Sequence, residues 1–254
     1  MPQRLFILPL CTLVAIIALS ACKPTIDLDL FIQDLYDVAK TQNGITVPAI
    51  VGIPIDDSKK CEEAKNKMLP ILRKYSLGIE FIECKEVKGE IYDMMSVKMD
   101  TQILSTKDSR LDWSGLFSVF VFDQARAATN LIEIYLLATN KLGDLSSDLD
   151  RQFLFQTVDI DDVKIELRIK NDTKNDVELS VGGARVDGKP IAPPHPFKLT
   201  RRDYLKIVPS KINVQYLLSR GFVPLALIAK EGKFLPDSIR RVPAIGNSKI
   251  WNTE

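Results

Sequence analysis

The chain has 254 residues, 46% of them hydrophobic and 26% charged, with 34 Lys and Arg against 33 Asp and Glu, a formal net charge of +1. Those proportions belong to a globular protein able to bury one large core or two modest ones, and they exclude a disordered or low-complexity chain. A balance so close to neutral supplies no field for steering nucleic acid. The basic pairs Arg201-Arg202 and Arg240-Arg241 read as solvated surface, so no nucleic-acid partner is expected.

Residues 1–21 carry a single charge, Arg4, followed by an apolar run from Leu5 to Leu19 broken only by Pro9, Cys11 and Thr12. This is the layout of a signal peptide. Ordinary secretory cleavage wants small side chains one and three positions before the cut, but the bulky Leu19 stands three before Cys22. The stretch Leu19-Ser20-Ala21-Cys22 instead resembles the lipobox of bacterial lipoproteins. That resemblance implies removal of the leader before Cys22 and acylation of the Cys22 thiol, often with acylation of the new amine. The run is also close to the length of an uncleaved transmembrane anchor, and either reading holds the protein at a membrane. At about 0.8 kcal/mol per buried methylene, two or three acyl chains anchor almost permanently. In Gram-negative lipoproteins an Asp after the cysteine favours the inner membrane; Lys23 stands here, so the resemblance points to the outer membrane. The mature chain is formally neutral, since Arg4 is the only charge lost.

From Ile26 to Ile32 every even position is apolar while Asp27, Asp29 and Gln33 point the other way, which predicts a half-buried strand. It begins so soon after Cys22 that no stalk separates lipid from body. Ile45 to Ile55 alternates again and contains Pro48 and Pro54 at one parity, which predicts an edge strand with its prolines outward. Cys61 to Tyr75 predicts a helix, with Asp57 or Ser58 as N-cap, Glu62 and Glu63 in the first turn, Arg73 and Lys74 in the last, and Pro70 as a kink. Ala64, Met68, Ile71, Leu72 and Tyr75 share one face of it. After a turn at Ser76 to Gly78, Ile79 to Cys84 predicts a returning strand.

Cysteine usage agrees with export. With Cys11 lost and Cys22 acylated, Cys61 and Cys84 remain, an even remainder that suggests a disulfide. The helix climbs roughly 21 Å and the strand returns roughly 20 Å, which brings Cys84 level with Cys61. Neither sits in a CxxC redox motif, so the bond reads as a staple.

Ile91 to Leu104 predicts a long strand burying Ile91, Met95, Val97, Met99 and Ile103, with the methionines as core. Leu116 to Phe122 and Leu131 to Ala138 are apolar on both faces, as central strands are, with Arg126 at the tip of the loop between them. Asp144 to Phe155 returns to helical spacing. Beyond Thr157, Val163 to Ile169 and Val177 to Val181 predict two strands joined by the turn Asn171 to Asp176, and Asp187-Gly188 marks a second turn. Pro190 to Pro196 reads as a stiff loop, Tyr204 to Val208 as a strand, Ile212 to Leu218 as a short helix and Val223 to Ala229 as a strand. The tail 231–254 holds Phe234, Leu235, Ile239, Val242, Ile245, Ile250 and Trp251, too apolar for a free tail.

The expected architecture is therefore α+β. A leader (1–21) precedes a mostly antiparallel domain with the stapled helix (22–157), a smaller β-sandwich-like part (158–230) and the tail (231–254).

The chemistry-bearing residues do not assemble into a motif. His195, the single histidine, lies among Pro193, Pro194 and Pro196 without a G-x-S-x-G or comparable partner. Asp150, Asp159, Asp161 and Asp162 lack the glycine and distal glutamate of a calcium loop, and Gly182-Gly183 lacks the lysine and helix of a phosphate loop. No catalytic residue, metal or cofactor is expected. The reading is a non-enzymatic envelope lipoprotein whose partner is an outer-membrane or other envelope component. Its alternative is an envelope hydrolase whose carboxylates meet in space across the two halves. The order of lipobox, edge strand, stapled helix and β-rich second half resembles lipoproteins carried by phages and prophages. That implies synthesis by a lysogen at its own envelope, where masking a phage receptor would exclude superinfection.

Overall fold

The structure is a computed structural model that describes residues 23–55, 57–90, 92–105, 115–123, 131–152, 163–192 and 194–230. The leader, Cys22, Ile91, Arg126, Phe153, Phe155 and the tail 231–254 lie outside the described residues, and so do Asp159, Asp161 and Asp162.

The protein is α+β, with a mostly antiparallel sheet. β1 (Thr25–Phe31) follows the alternation of its sequence: Ile26, Leu28 and Leu30 are buried, and Thr25, Asp27 and Asp29 are half-buried. A helix absent from the sequence reading, α1 (Ile32–Thr41), starts at the next residue and buries Ile32, Leu35, Val38 and Ala39 against β4 and β5, defined below. Ile32 completes both the strand alternation and the helical stripe, and the strand pattern masked the start of the helix. Tyr36 of α1 donates through Oη to the Ala229 carbonyl at 2.9 Å, which fixes the helix to the last strand.

β2 (Ile45–Ile55) corrects the expectation of an edge strand. It lies between β1 and β4 (Asp93–Ser105), paired with β4 along its whole length, and Pro54 is buried. The prolines are tolerated because β1 pairs only Ala49 to Gly52. Pro48 and Pro54 flank that segment at the parity of Ile50 and Gly52, so the N–H groups they lack fall outside the β1–β2 pairing.

α2 (Cys61–Tyr75) is preceded by a 3₁₀ turn, Ser58–Lys60, capped by Asp57, whose carboxylate accepts from the Lys59 N–H at 2.8 Å. Ala64, Met68, Leu69, Ile71 and Leu72 form its buried face. β3 (Glu80–Glu86) returns along β4, and the Cys61–Cys84 disulfide joins α2 to it with a Cα–Cα distance of 5.9 Å. Met95 and Met99 of β4 are core residues. The other end of β4 pairs in parallel with β5 (Phe117–Asp123), which pairs with β6 (Leu131–Ala138). α3 (Lys141–Gln152) packs on α2, where Tyr75 Oη donates to Asp148 at 2.8 Å.

The second half enters the same sheet. β7 (Lys164–Lys170) runs parallel to β1 over seven register pairs from Thr25↔Lys164 to Phe31↔Lys170. The segments expected to form a strand pair across Asn171 to Asp176 do not pair with each other. β7 pairs with β1 and β12 (Tyr204–Pro209), whereas β8 (Val177–Val181) pairs with β13 (Phe222–Ala229) and β11 (His195–Leu199). β9 (Ala184–Val186) and β10 (Lys189–Ile191) form a hairpin about Asp187-Gly188, both at positive φ, and part of the expected Pro-rich loop is strand. α4 (Lys211–Arg220), N-capped by Ser210, covers β13 and β6.

The strand order is β10-β9-β12-β7-β1-β2-β4-β5-β6-β13-β8-β11, with β3 added on β4. Three short links, 171–176, 182–183 and 200–203, connect strands from opposite ends of that order. The sheet must therefore curl until its ends face each other, which buries both inner faces in one core. Gly183 makes one link possible: it adopts φ +65°, and a Cβ there would meet Asn213 Nδ2 at 2.7 Å. Asn171 holds the other two. Its backbone N–H donates to Asp203 O and its carbonyl accepts from Arg202 N–H, while its side chain donates to Asn175 O and Leu199 O and accepts from Thr173.

Candidate functional site

The parallel pairing of β1 with β7 brings two polar strand faces together, one from each half of the chain. Inward rows are Leu28 beside Leu167 beside Ile207, and Leu30 beside Ile169 beside Leu205. The alternating outward rows place Asp27 beside Glu166, Asp29 beside Arg168 beside Lys206, and Phe31 beside Lys170 beside Tyr204. Neighbouring strands lie about 4.8 Å apart, so each row is a line of directly opposed side chains.

Within this ladder Asp29 binds both cations of β7. Arg168 Nε donates to Asp29 Oδ1 at 2.6 Å, and Lys170 Nζ donates to Oδ2. Burial works against the charge of Asp29, but the hydrogen bonds from Lys170 and Arg168 outweigh it and hold the carboxyl below the usual range. Glu166 is buried and held the same way: burial opposes its charge, while Lys206 at 2.6 Å and Lys164 at 3.6 Å win and lower its pKa. Among the described residues no cation donates such a hydrogen bond to Asp27. Burial and then the charge of Glu166 raise its pKa, only partly offset by Arg168, Lys164 and Lys206. At the far end Lys170 Nζ lies 5.5 Å from the Phe31 ring centroid, between two exposed aromatics, Phe31 and Tyr204.

This arrangement contains half of what the hydrolase alternative requires. Two carboxylates from opposite halves of the chain stand side by side with pKa values driven apart, a pattern that can divide acid and base roles. They lie on the outward side of the sheet, with Glu166 buried and Asp27 half-buried. One cavity among the described residues, about 50 Å³, is lined by apolar side chains such as Pro24, Ile53, Leu149 and Leu217, and by neither carboxylate.

The remaining sequence candidates fall elsewhere. Cys61 and Cys84 are bonded to each other. His195 lies exposed at the start of β11, edge-on to Phe197 with ring centroids 5.1 Å apart. Asp150 belongs to α3, but its side chain lies outside the described residues. Among the described residues no group of three or more His, Cys, Asp or Glu could hold a metal ion, and no helix is long and apolar enough to cross a membrane.

A family model described as a domain of unknown function (DUF7424) matches residues 25–233. The chain belongs to this family. No curated protein and no solved structure matches it. The DUF7424 match opens on the first residue of β1 and ends beyond β13, so it takes in both halves of the sheet and the whole charged ladder. Sequence reading saw Asp27 and Asp29 on one strand and Lys164, Glu166, Arg168 and Lys170 on another, but not their meeting. The complementary charges on two strictly alternating strands were the signal for it.

Proposed function

We propose that the protein is a lipid-anchored envelope lipoprotein acting as a non-enzymatic binding module, acylated at Cys22 and favouring the outer membrane. One observation carries the reading. The Lys164 N–H donates to the Pro24 carbonyl at 2.9 Å and β1 begins at Thr25, so only two residues stand between the cysteine and the ordered sheet. A lipid at Cys22 would pin the body to the bilayer surface, within reach of other envelope components. The outward ladder of β1, β7 and β12 supplies polar and aromatic side chains, with Phe31 and Tyr204 exposed. The likeness to phage-carried lipoproteins adds a use for that position, namely occluding a phage receptor at the envelope of a lysogen.

The test is metabolic labelling with a palmitate analogue in a Gram-negative host, followed by membrane fractionation and crosslinking of intact cells. Wild-type protein incorporates label, fractionates with the outer membrane and crosslinks to an envelope protein; Cys22→Ser loses all three. Equal behaviour of both forms rejects the anchor.

The juxtaposed Asp27 and Glu166 favour a second reading, an envelope hydrolase. It requires release of soluble fragments from purified cell-wall glycan by wild type but not by Asp27→Asn or Glu166→Gln. A binding module releases none in any form.

A further inference from the structure

We infer that the body stands on the bilayer on one end of its sheet, the end carrying Thr25, Lys164 and Ile212. The opposite end, with Phe31, Lys170 and Tyr204, is then raised away from the membrane. The inference rests on the lipid-anchor reading and adds which residues touch the lipid surface.

Three residue steps separate Cys22 from Thr25, a reach of at most about 11 Å, so the start of β1 lies at the headgroups. β7 runs parallel to β1 and starts beside it, Lys164 opposite Thr25. β12 runs the other way: Tyr204 is opposite Lys170 and Ile207 opposite Leu167. Three residues further in the same register, Ser210 comes level with Lys164, about 10 Å across two strand spacings from β1. α4 begins there with Lys211 and Ile212. Further along the helix, Leu217 and Leu218 line one cavity together with Pro24, so α4 stays close to the start of β1.

Ile212 is 76% exposed, more than any other large hydrophobic side chain among the described residues. A single exposed isoleucine is ordinary on a protein surface. Here it stands level with the lipid attachment, in the first turn of a helix, where side chains lean towards the N-terminus and hence towards that end of the sheet. Val214 and Leu217 hold the buried side of α4 and leave Ile212 outward. Exposed Lys23 and Lys164, whose side chain is 52% exposed, supply cations at the same level for phosphate headgroups. An apolar tip among lysines is the composition of an interfacial contact. The seven residues of β1 span roughly 20 Å, so the Phe31–Lys170–Tyr204 row stands well clear of the headgroups.

The experiment uses the full-length acylated protein in vesicles of phosphatidylethanolamine and phosphatidylglycerol. With Cys11 removed in the leader, Cys22 acylated and Cys61 bonded to Cys84, an introduced cysteine is the single free thiol. Ile212→Cys and Tyr204→Cys are each labelled with an environment-sensitive fluorophore, and brominated lipids are used as quencher. Quenching severalfold stronger at position 212 than at 204 is expected. Equal quenching at both positions, or none at 212 in protein that floats with the vesicles, overturns the inference and leaves the anchor standing. Mass analysis of the N-terminal peptide in the same sample separates the remaining case. An unacylated peptide in protein that does not float rejects the anchor, and this inference with it.

Discussion

Replacing Asn171 tests the argument that one buried side chain holds the curl of the sheet. Asn171 is 1% exposed and satisfies all of its amide chemistry: Nδ2 donates to Asn175 O at 2.8 Å and to Leu199 O at 2.9 Å, and Oδ1 accepts from Thr173 N at 3.1 Å and Thr173 Oγ1 at 2.7 Å. Asn171→Ala strips two carbonyls and one amide of this partner. With Oδ1 gone, the Thr173 hydroxyl is free to donate to Asn175 O at 3.0 Å, and the amide of the partly exposed Thr173 can turn to water, so the main loss falls at Leu199 O. One stripped buried acceptor costs about 1–3 kcal/mol, and the vacated volume adds to it, for a total of about 2–4 kcal/mol. Thr173→Val leaves both Nδ2 bonds in place and should cost less than about 1.5 kcal/mol. Asn171→Asp is the sharper variant, because it points a carboxylate at two carbonyl oxygens. It should be less stable than the alanine variant at neutral pH and recover as pH falls and the acid becomes a donor. Equilibrium urea unfolding followed by far-UV circular dichroism, at constant slope, measures each. A cost below about 0.5 kcal/mol for Asn171→Ala, the level of an ordinary surface change, would refute the reasoning.

Removing the disulfide with Cys61→Ala and Cys84→Ala together should cost about 3 kcal/mol by the loop-entropy relation for a separation of 23 residues; an unchanged urea midpoint would show that α2 and β3 are held without it. The ladder sets a pH dependence of two signs. Asp29 and Glu166 have lowered pKa values, so their contribution is present above the unfolded carboxylate range and lost as pH falls through their folded values, below that range. Asp27 is raised, so its ionisation costs stability as pH rises through its folded value; Asp27→Asn should be neutral in acid and stabilising at pH 7, by less than about 1 kcal/mol on this half-exposed face. Thermal unfolding from pH 3 to 8 decides it, and a destabilised Asp27→Asn at pH 7 would contradict the account. Gly78→Ala should cost about 1–3 kcal/mol, because the residue sits at φ +64° and its new Cβ would meet the Asp100 carboxylate at 2.3 Å. Gly89→Ala, at φ +86° with no neighbour within 4 Å, carries backbone strain alone and should cost less in the same urea titration.

Local structure was legible wherever burial and period agreed. β2, α2 and β6 run between the residues their patterns named, Ile45–Ile55, Cys61–Tyr75 and Leu131–Ala138, because α2 and the start of β2 bury one face at one period and β6 is apolar on both faces. The disulfide followed too, since helix rise and strand rise are fixed lengths that bring Cys84 back to Cys61. Where two periods shared a residue the reading failed: Ile32 fits both β1 and α1, and nothing local marks where one gives way to the other.

Partner choice was legible only as a hint, the opposite charges on the outward faces of β1 and β7. An alternating strand declares which face is buried but not which neighbour it pairs with, because backbone hydrogen bonds are the same for every sequence. Val163 to Ile169 and Val177 to Val181 looked like a hairpin, yet their turn carries the chain across the curled sheet, held by the six bonds of Asn171. Pro48 and Pro54 looked like edge markers, yet the pairing of β1 with β2 covers only Ala49 to Gly52 and so falls between them. For the same reason the charged ladder belongs to the tertiary structure alone. Asp29 and Arg168 are 139 positions apart, and only the parallel register of β1 on β7 makes them one site.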